Sequence, residues 1–162
     1  MKKEKTCKIV FSDIDGTLLT SDGQITEGTK EMILNLEKKG IPFILTSARS
    51  PEGVRVIKRM LGNHAPIIAF CGGLILDNDG NEIYSKMIPL KRALELKAML
   101  DKDFPAVACN TFGGEKWIVD DREDWREQRE EKIVGFPAEI GSIKDTFETE
   151  DGIHKFLLMG DP

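Results

Sequence analysis

Cysteine is scarce in this 162-residue chain: Cys7, Cys71 and Cys109 are odd in number, far apart and form no C-x-x-C pair. That excludes a disulfide framework and a zinc knuckle, and it suits a reducing cytoplasm. Two of the three sit inside apolar runs, so buried free thiols are expected. Histidine is scarcer still. His64 and His154 have no partners at metal-ligand spacing and read as structural residues. No apolar run approaches the ~20 residues of a membrane span. The basic start Met1-Lys2-Lys3-Glu4-Lys5 leads into only a few apolar residues before two aspartates, so it reads as neither a secretory signal nor a membrane span. There is no block of positive charge. A net charge of −5 argues against nucleic acid as the main partner. Internal repeats and low-complexity tracts are missing as well.

What is present is enough for a real core: 40% of residues are apolar and 31% charged. The first part alternates short apolar runs with helical patterns. Cys7–Phe11, Ile41–Thr46 and Pro66–Phe70 read as buried strands. Thr26 caps a helix through Lys39, with Ile25, Ile33, Leu34 and Leu36 as its apolar stripe and Gly40 closing it. Ser50-Pro51-Glu52 is a cap, a proline at the first helical position and an acid in the first turn. The helix it opens carries Val54, Ile57 and Leu61 inward and ends at Gly62. Strand–helix–strand–helix–strand with uninterrupted apolar strands predicts an α/β core: a partial Rossmann-like parallel sheet, covered on both faces.

A hairpin follows, Leu74–Leu76 and Glu82–Ser85 around Asp77-Asn78-Asp79-Gly80. Beyond Pro89 the rhythm changes to α+β. Helices are expected at Leu90–Leu100 and Asp121–Lys132, and strands at Ala106–Asn110, Trp117–Val119 and Ile153–Met159. The expected domains are therefore 1–86, a core portion, and 87–162, part of an α+β domain. Trp117 and Trp125 read as packing residues. The run Arg122–Lys132 reads as a solvated face with i, i+4 ion pairs.

The chemistry concentrates at Asp13-Ile14-Asp15-Gly16-Thr17. Successive strand side chains alternate faces, so Asp13 and Asp15 point one way and Ile14 the other. Two such carboxylates can hold a hard cation and divide nucleophilic attack from proton transfer. The D-x-D-G spelling recurs at Asp77–Gly80, but between hairpin strands, and reads there as a solvated turn. Neither copy fits a calcium loop, which wants glycine at position six and an acid at twelve. The first copy closes a parallel strand, where open α/β sheets place their ligands. A second apolar strand ends at the same edge in Thr46-Ser47-Ala48-Arg49. There a hydroxyl and backbone N–H groups can hold a phosphate oxygen.

These residues resemble a known family. Asp13-Ile14-Asp15-Gly16-Thr17-Leu18 resembles motif I of the haloacid dehalogenase superfamily, and Leu45-Thr46-Ser47-Ala48-Arg49 resembles its motif II. The segment Ile67–Tyr84 is similar to the approach to the cap in the Cof-like branch of sugar-phosphate phosphatases. The resemblance implies a phosphomonoester hydrolase that works through an aspartyl-phosphate with Mg²⁺. Asp13 would be nucleophile and metal ligand, and Asp15 would be acid and base with its carbonyl on the metal. Gly16, Thr17, Ser47, Arg49 and Gly72 would line the phosphate. The expected substrate is a small phosphorylated metabolite such as a sugar phosphate; neither nucleic acid nor membrane is expected as a partner.

The chain departs from the family at Ala48, where glycine is usual, and at Cys71-Gly72-Gly73, where Asn-Gly-Ala is usual. The family's lysine and its downstream acidic G-D-x-x-N-D-like motif are not found; Lys155 and Gly160-Asp161 do not match them. The chain is accordingly expected to be a portion of a longer enzyme that ends inside the cap, or to be completed by self-association through an exposed first-strand edge. Two other readings stay open: a phosphotransferase or mutase on the same scaffold, and a non-catalytic phosphate-binding or assembly module.

Overall fold

Pairing in the first sheet starts later than the apolar pattern suggests. In this computed structural model, which describes residues 7–147 and 152–161, strand β1 is Val10–Ser12 and not Cys7–Phe11. Its partner β2 is Phe43–Thr46, because Gly40 takes a left-handed turn (φ 72°) and Pro42 has no N–H to give a ladder. Val10 N–H instead bonds the Pro42 carbonyl at 2.9 Å. Cys7 therefore lies outside the strand and is exposed, as is Cys71. Only Cys109 meets the expectation of burial, and all three are free. Met1–Lys5 and Pro162, singled out in the sequence, lie outside the described residues.

The chain divides into two compact units, Met1–Tyr84 and Ser85–Pro162. In unit 1, β1 leads to helix α1 (Glu27–Lys38), β2, helix α2 (Pro51–Leu61), β3 (Ile67–Ala69), β4 (Leu74–Leu76) and β5 (Glu82–Ser85). The helix ends follow local chemistry. Thr26 accepts from Thr29 N–H to start α1, and Ser50 accepts from Gly53 N–H to start α2. Gly62, at φ 70°, closes α2 with its N–H on the Arg59 and Lys58 carbonyls.

The sheet order is β1-β2-β3-β4-β5, parallel through β3 and then antiparallel, so the expected α/β core with a parallel sheet is present. Strands laid down in this order put both right-handed crossovers on one face, and α1 and α2 pack on each other and on β2. Phe43, Leu45, Ile67, Ala69, Leu74 and Leu76 form the buried face. On the other face Ile44 is buried between neighbouring strands, but Phe11 is 55% exposed. The expectation of helices on both faces is thus corrected. β1 ends the sheet, and two of its neighbouring apolar side chains, Ile9 and Phe11, are exposed.

Unit 2 contains β6 (Ile88–Pro89), α3 (Leu90–Asp103), β7 (Ala108–Gly113), β8 (Lys116–Val119), α4 (Trp125–Val134), β9 (Glu139–Ile140), α5 (Ile143–Thr146), β10 (Gly152–Ile153) and β11 (Lys155–Met159). A four-stranded sheet runs β11-β7-β8-β9, and β10 pairs with β6. Ala93, Ile118, Ile143, Phe147 and Ile153 form a core on one side. At Gly152 any side chain would collide with the Ile88 carbonyl, which explains glycine where β10 meets β6.

The charged segment differs most from its sequence reading. Helix α4 starts at Trp125 and not Asp121, because the Asp124 carboxylate caps it by accepting from Arg126 N–H. Among the described residues the ion pairs include Arg122–Glu131, Arg126–Asp124 and Arg126–Asp161, none of them an i, i+4 rung. Trp117 is buried, as expected of a packing residue, but Trp125 at the first turn is 55% exposed. Glu127, expected on a solvated face, is buried. The short β6, β9 and α5 carry too few residues to show a period and were not foreseen.

Candidate active site

Ile14 organises the first acidic segment. Its side chain is fully buried, and its carbonyl accepts from Thr17, Leu18 and Leu19 N–H at 3.4, 3.0 and 3.1 Å. The chain therefore turns tightly straight after β1, with Leu18 buried below. Asp13, Asp15, Gly16 and Thr17 are left exposed on the rim. Gly16 makes the turn at φ 73°, in the left-handed region that favours glycine. Asp13 Oδ1 accepts from Ile14 N–H at 2.7 Å, which orients the carboxylate at the mouth of the strand. Register Ser12↔Leu45 sets Asp13 level with Thr46, one residue before Ser47.

Arg49 reaches Asp15 across the crossover. Its Nε donates to Asp15 Oδ2 at 2.9 Å and its Nη2 to Oδ1 at 2.7 Å, a bidentate pair. The Arg49 side chain is mostly covered, at 12% exposure, whereas that of Asp15 is 58% exposed. Thirty-four residues separate the two, and no local pattern announces the contact. The family resemblance sets Arg49 at the phosphate; in the structure its guanidinium contacts the Asp15 carboxylate. Ser47 is buried, and its Oγ accepts from Arg49 N–H at 3.1 Å. The hydroxyl proton is left over from that bond.

The ends of β2 and β3 are tied together. Ser47 N–H bonds the Ile68 carbonyl, Cys71 N–H bonds the Ser47 carbonyl, and Phe70 N–H bonds the Arg49 carbonyl, at 2.9–3.0 Å. Phe70 (φ 50°), Cys71 (φ 55°) and Gly72 (φ 92°) all take positive φ in this turn. Two of them are not glycine, so the turn is held by those bonds against local preference. The structure thus joins Asp15, Ser47 and Arg49 by direct contacts, sets Asp13, Gly16 and Thr17 in the adjacent turn, and places Gly72 at the end of the tied turn.

Asp77 differs. Its Oδ1 accepts from Asp79 and Asn81 N–H at 2.9 and 2.8 Å, and its Oδ2 accepts from Asn81 Nδ2 at 2.9 Å. These bonds, the Asn81 side chain first, hold its carboxyl below the usual range. As expected, this copy is a turn that bonds itself. The histidines are structural too. His64 follows the α2 cap, its backbone N–H on Glu37, and the His154 ring bonds Ser85 Oγ and Gly114 N–H.

The haloacid dehalogenase-like hydrolase family model matches residues 10–162, nearly the whole described chain. The chain belongs to this family. A Haemophilus influenzae protein named "Putative phosphatase" is 36% identical over 124 residues, covering 71% of this chain and 47% of the relative. A phosphoglycolate phosphatase from Thermoplasma volcanium is 38% identical over 74 residues, 46% of this chain and 33% of that protein. A haloacid dehalogenase-like hydrolase from Bacteroides thetaiotaomicron shares the fold with a TM-score of 0.84 at 20% identity, over 96% of this chain and 59% of that one. The chain spans about half the length of the curated relatives it matches. No helix among the described residues is long and apolar enough to cross a membrane.

For Mg²⁺ the donor set fits in kind: exposed carboxylate oxygens, hard ligands for a hard cation. It does not fit in number. Among the described residues no group of three His, Cys, Asp or Glu is placed to hold a metal, and Arg49 engages both Asp15 oxygens.

Proposed function

We propose that this chain carries the nucleophile and the acid–base residue of a phosphomonoester hydrolase that acts on a small phosphorylated metabolite, such as a sugar phosphate, in the cytoplasm. The carrying observation is the bidentate Arg49–Asp15 pair beside the exposed Asp13 at the carboxyl end of a parallel strand. Family membership and the phosphatase names of the relatives support it.

In this reading an Asp13 oxygen forms a bond to phosphorus as the ester P–O bond breaks, leaving an acyl phosphate on Asp13. Asp15 gives a proton to the departing alkoxide and takes one from the water that hydrolyses the acyl phosphate. The Arg49 contacts on both Asp15 oxygens support the base half of this role, and the acid half requires Arg49 to release one of them. Ser47 donates its hydroxyl proton to a phosphoryl oxygen, Gly16 and Gly72 leave open space for the same group, and Thr17 offers it a hydroxyl. Asp13 and the Asp15 carbonyl are the groups that would hold Mg²⁺, and the ion would supply charge neutralisation between the two reactants. Residues 87–162 take the part of a substrate-selecting cap and residues 1–86 that of the core. Self-association through the β1 edge belongs to the same reading, and sedimentation tests it.

The test is phosphate release from a small phosphomonoester with Mg²⁺, comparing the chain with Asp13→Asn. Release that is lost in the variant supports hydrolysis. Equal release by both, or none by either, favours a non-catalytic module. Capture of the phosphoryl group by added sugar alcohols would mark a phosphotransferase.

A further inference from the structure

Unit 2 buries a carboxyl group that the proposed chemistry does not use. Glu127 lies in the first turn of α4 and is 2% exposed. Its Oε1 accepts from Asn110 Nδ2 at 2.9 Å, while Asn110 Oδ1 accepts from Trp117 Nε1 at 2.7 Å. Asn110 is fully buried and Trp117 nearly so. Together they form a chain from β8 through β7 to α4, and Trp117 is wedged between the Phe112 and Phe136 rings. Glu127 Oε2 has no hydrogen-bond partner among the described residues.

The cations that would neutralise an ionised Glu127 are turned elsewhere. Arg126, its neighbour, donates to Asp124 and to the Ala106 and Met159 carbonyls. Lys155 of β11 stands over the Phe112 ring. Asp124, the cap of α4, and Glu130, further along it, are like charges. β7 and β8 contribute Asn110 and Trp117, neither of which carries a charge. With one amide donor and no ion pair among the described residues, the buried carboxylate is far costlier than the same group neutral.

We propose that Glu127 is a proton-operated latch between α4 and the β7–β8 pair: uncharged, it seals the helix onto the sheet; ionised, it draws water and loosens α4. Burial, aided by Asp124 and opposed by Asn110 and Arg126, pushes its carboxyl up to about 7. The folded group thus holds its proton where the unfolded one has lost it. The stabilisation is complete at pH values below the ordinary carboxyl range near 4.5 and is lost progressively as pH rises to about 7.

The experiment is thermal unfolding of the 162-residue chain and of Glu127→Gln, which keeps the shape and cannot ionise, at pH 5 and pH 8. The wild type should lose roughly 5–10 °C more than the variant between the two pH values, and the variant should be the more stable at pH 8. Parallel behaviour of the two proteins overturns the latch. The wild type alone gives a second reading that does not depend on the variant folding. The Trp117 indole N–H resonance should titrate with a midpoint near neutrality, while that of exposed Trp125 stays still. A Trp117 signal unmoved from pH 5 to 8 also overturns the proposal. Amide exchange along α4, corrected for intrinsic rates, should quicken at pH 8 in the wild type; equal protection at both pH values overturns the loosening.

Discussion

Asp13-Ile14-Asp15-Gly16 and Asp77-Asn78-Asp79-Gly80 spell the same acidic pattern twice, and the fold treats them oppositely. In the first, the middle residue is apolar and fully buried, so the chain is pinned to the core and both carboxylates are turned outward. In the second, the middle residue is an exposed asparagine, and Asp77 spends both oxygens on its own turn. The first acidic pair has a distant cation in contact, Arg49 on Asp15. The lesson is that one short motif takes opposite arrangements according to whether a buried anchor inside it fixes its facing and a distant segment supplies its partner.

The comparison is broken most sharply by exchanging charge for amide in each copy. Asp13→Asn should lower phosphate release by a thousandfold or more, about 4 kcal/mol of barrier, whereas Asp77→Asn should leave it unchanged. Steady-state assay of both variants decides this. The anchors come next. Ile14→Ala should cost about 2–4 kcal/mol of stability, and Asn78→Ala should stay within about 0.5 kcal/mol, as read by denaturant unfolding. Arg49→Lys keeps the charge but loses the two-pronged contact. It should lower turnover by about 10–100-fold, or ~1.4–2.7 kcal/mol, with a changed pH profile and little change in melting. The smallest effect belongs to Asp77 itself. Because its folded carboxyl is held below the usual range, its contribution is present above that range and fades as pH falls through it. Melting curves of Asp77→Asn and the wild type should differ slightly at pH 7 and converge in acid.

Much of unit 1 was legible because its signals are local. The Thr26 and Ser50 caps, the proline after Ser50 and the Gly62 stop mark α1 and α2 to within a residue. The facing of Asp13 and Asp15 against Ile14 is the one strand alternation predicts, although β1 ends at Ser12 and the three residues lie in the turn after it. The later part was harder to read. Helix α4 looks like a uniformly solvated charged helix, and nothing around Glu127 distinguishes it from Glu130 or Glu131. Its burial depends on Asn110, 17 residues earlier on β7. The two-residue strands β6, β9 and β10 exist only because a partner strand lies beside them.

The sequence by itself determined the α/β alternation, the helix ends and the outward acidic pair, because caps, prolines, glycines and side-chain period act over a few residues. Tertiary structure alone decided that Arg49 clamps Asp15, that both helices cover one face of the sheet, and that one glutamate of α4 is buried with an amide as its hydrogen-bond donor. Those outcomes depend on strand order and register, which bring residues tens of positions apart to within 3 Å and leave no trace in any short window of the chain.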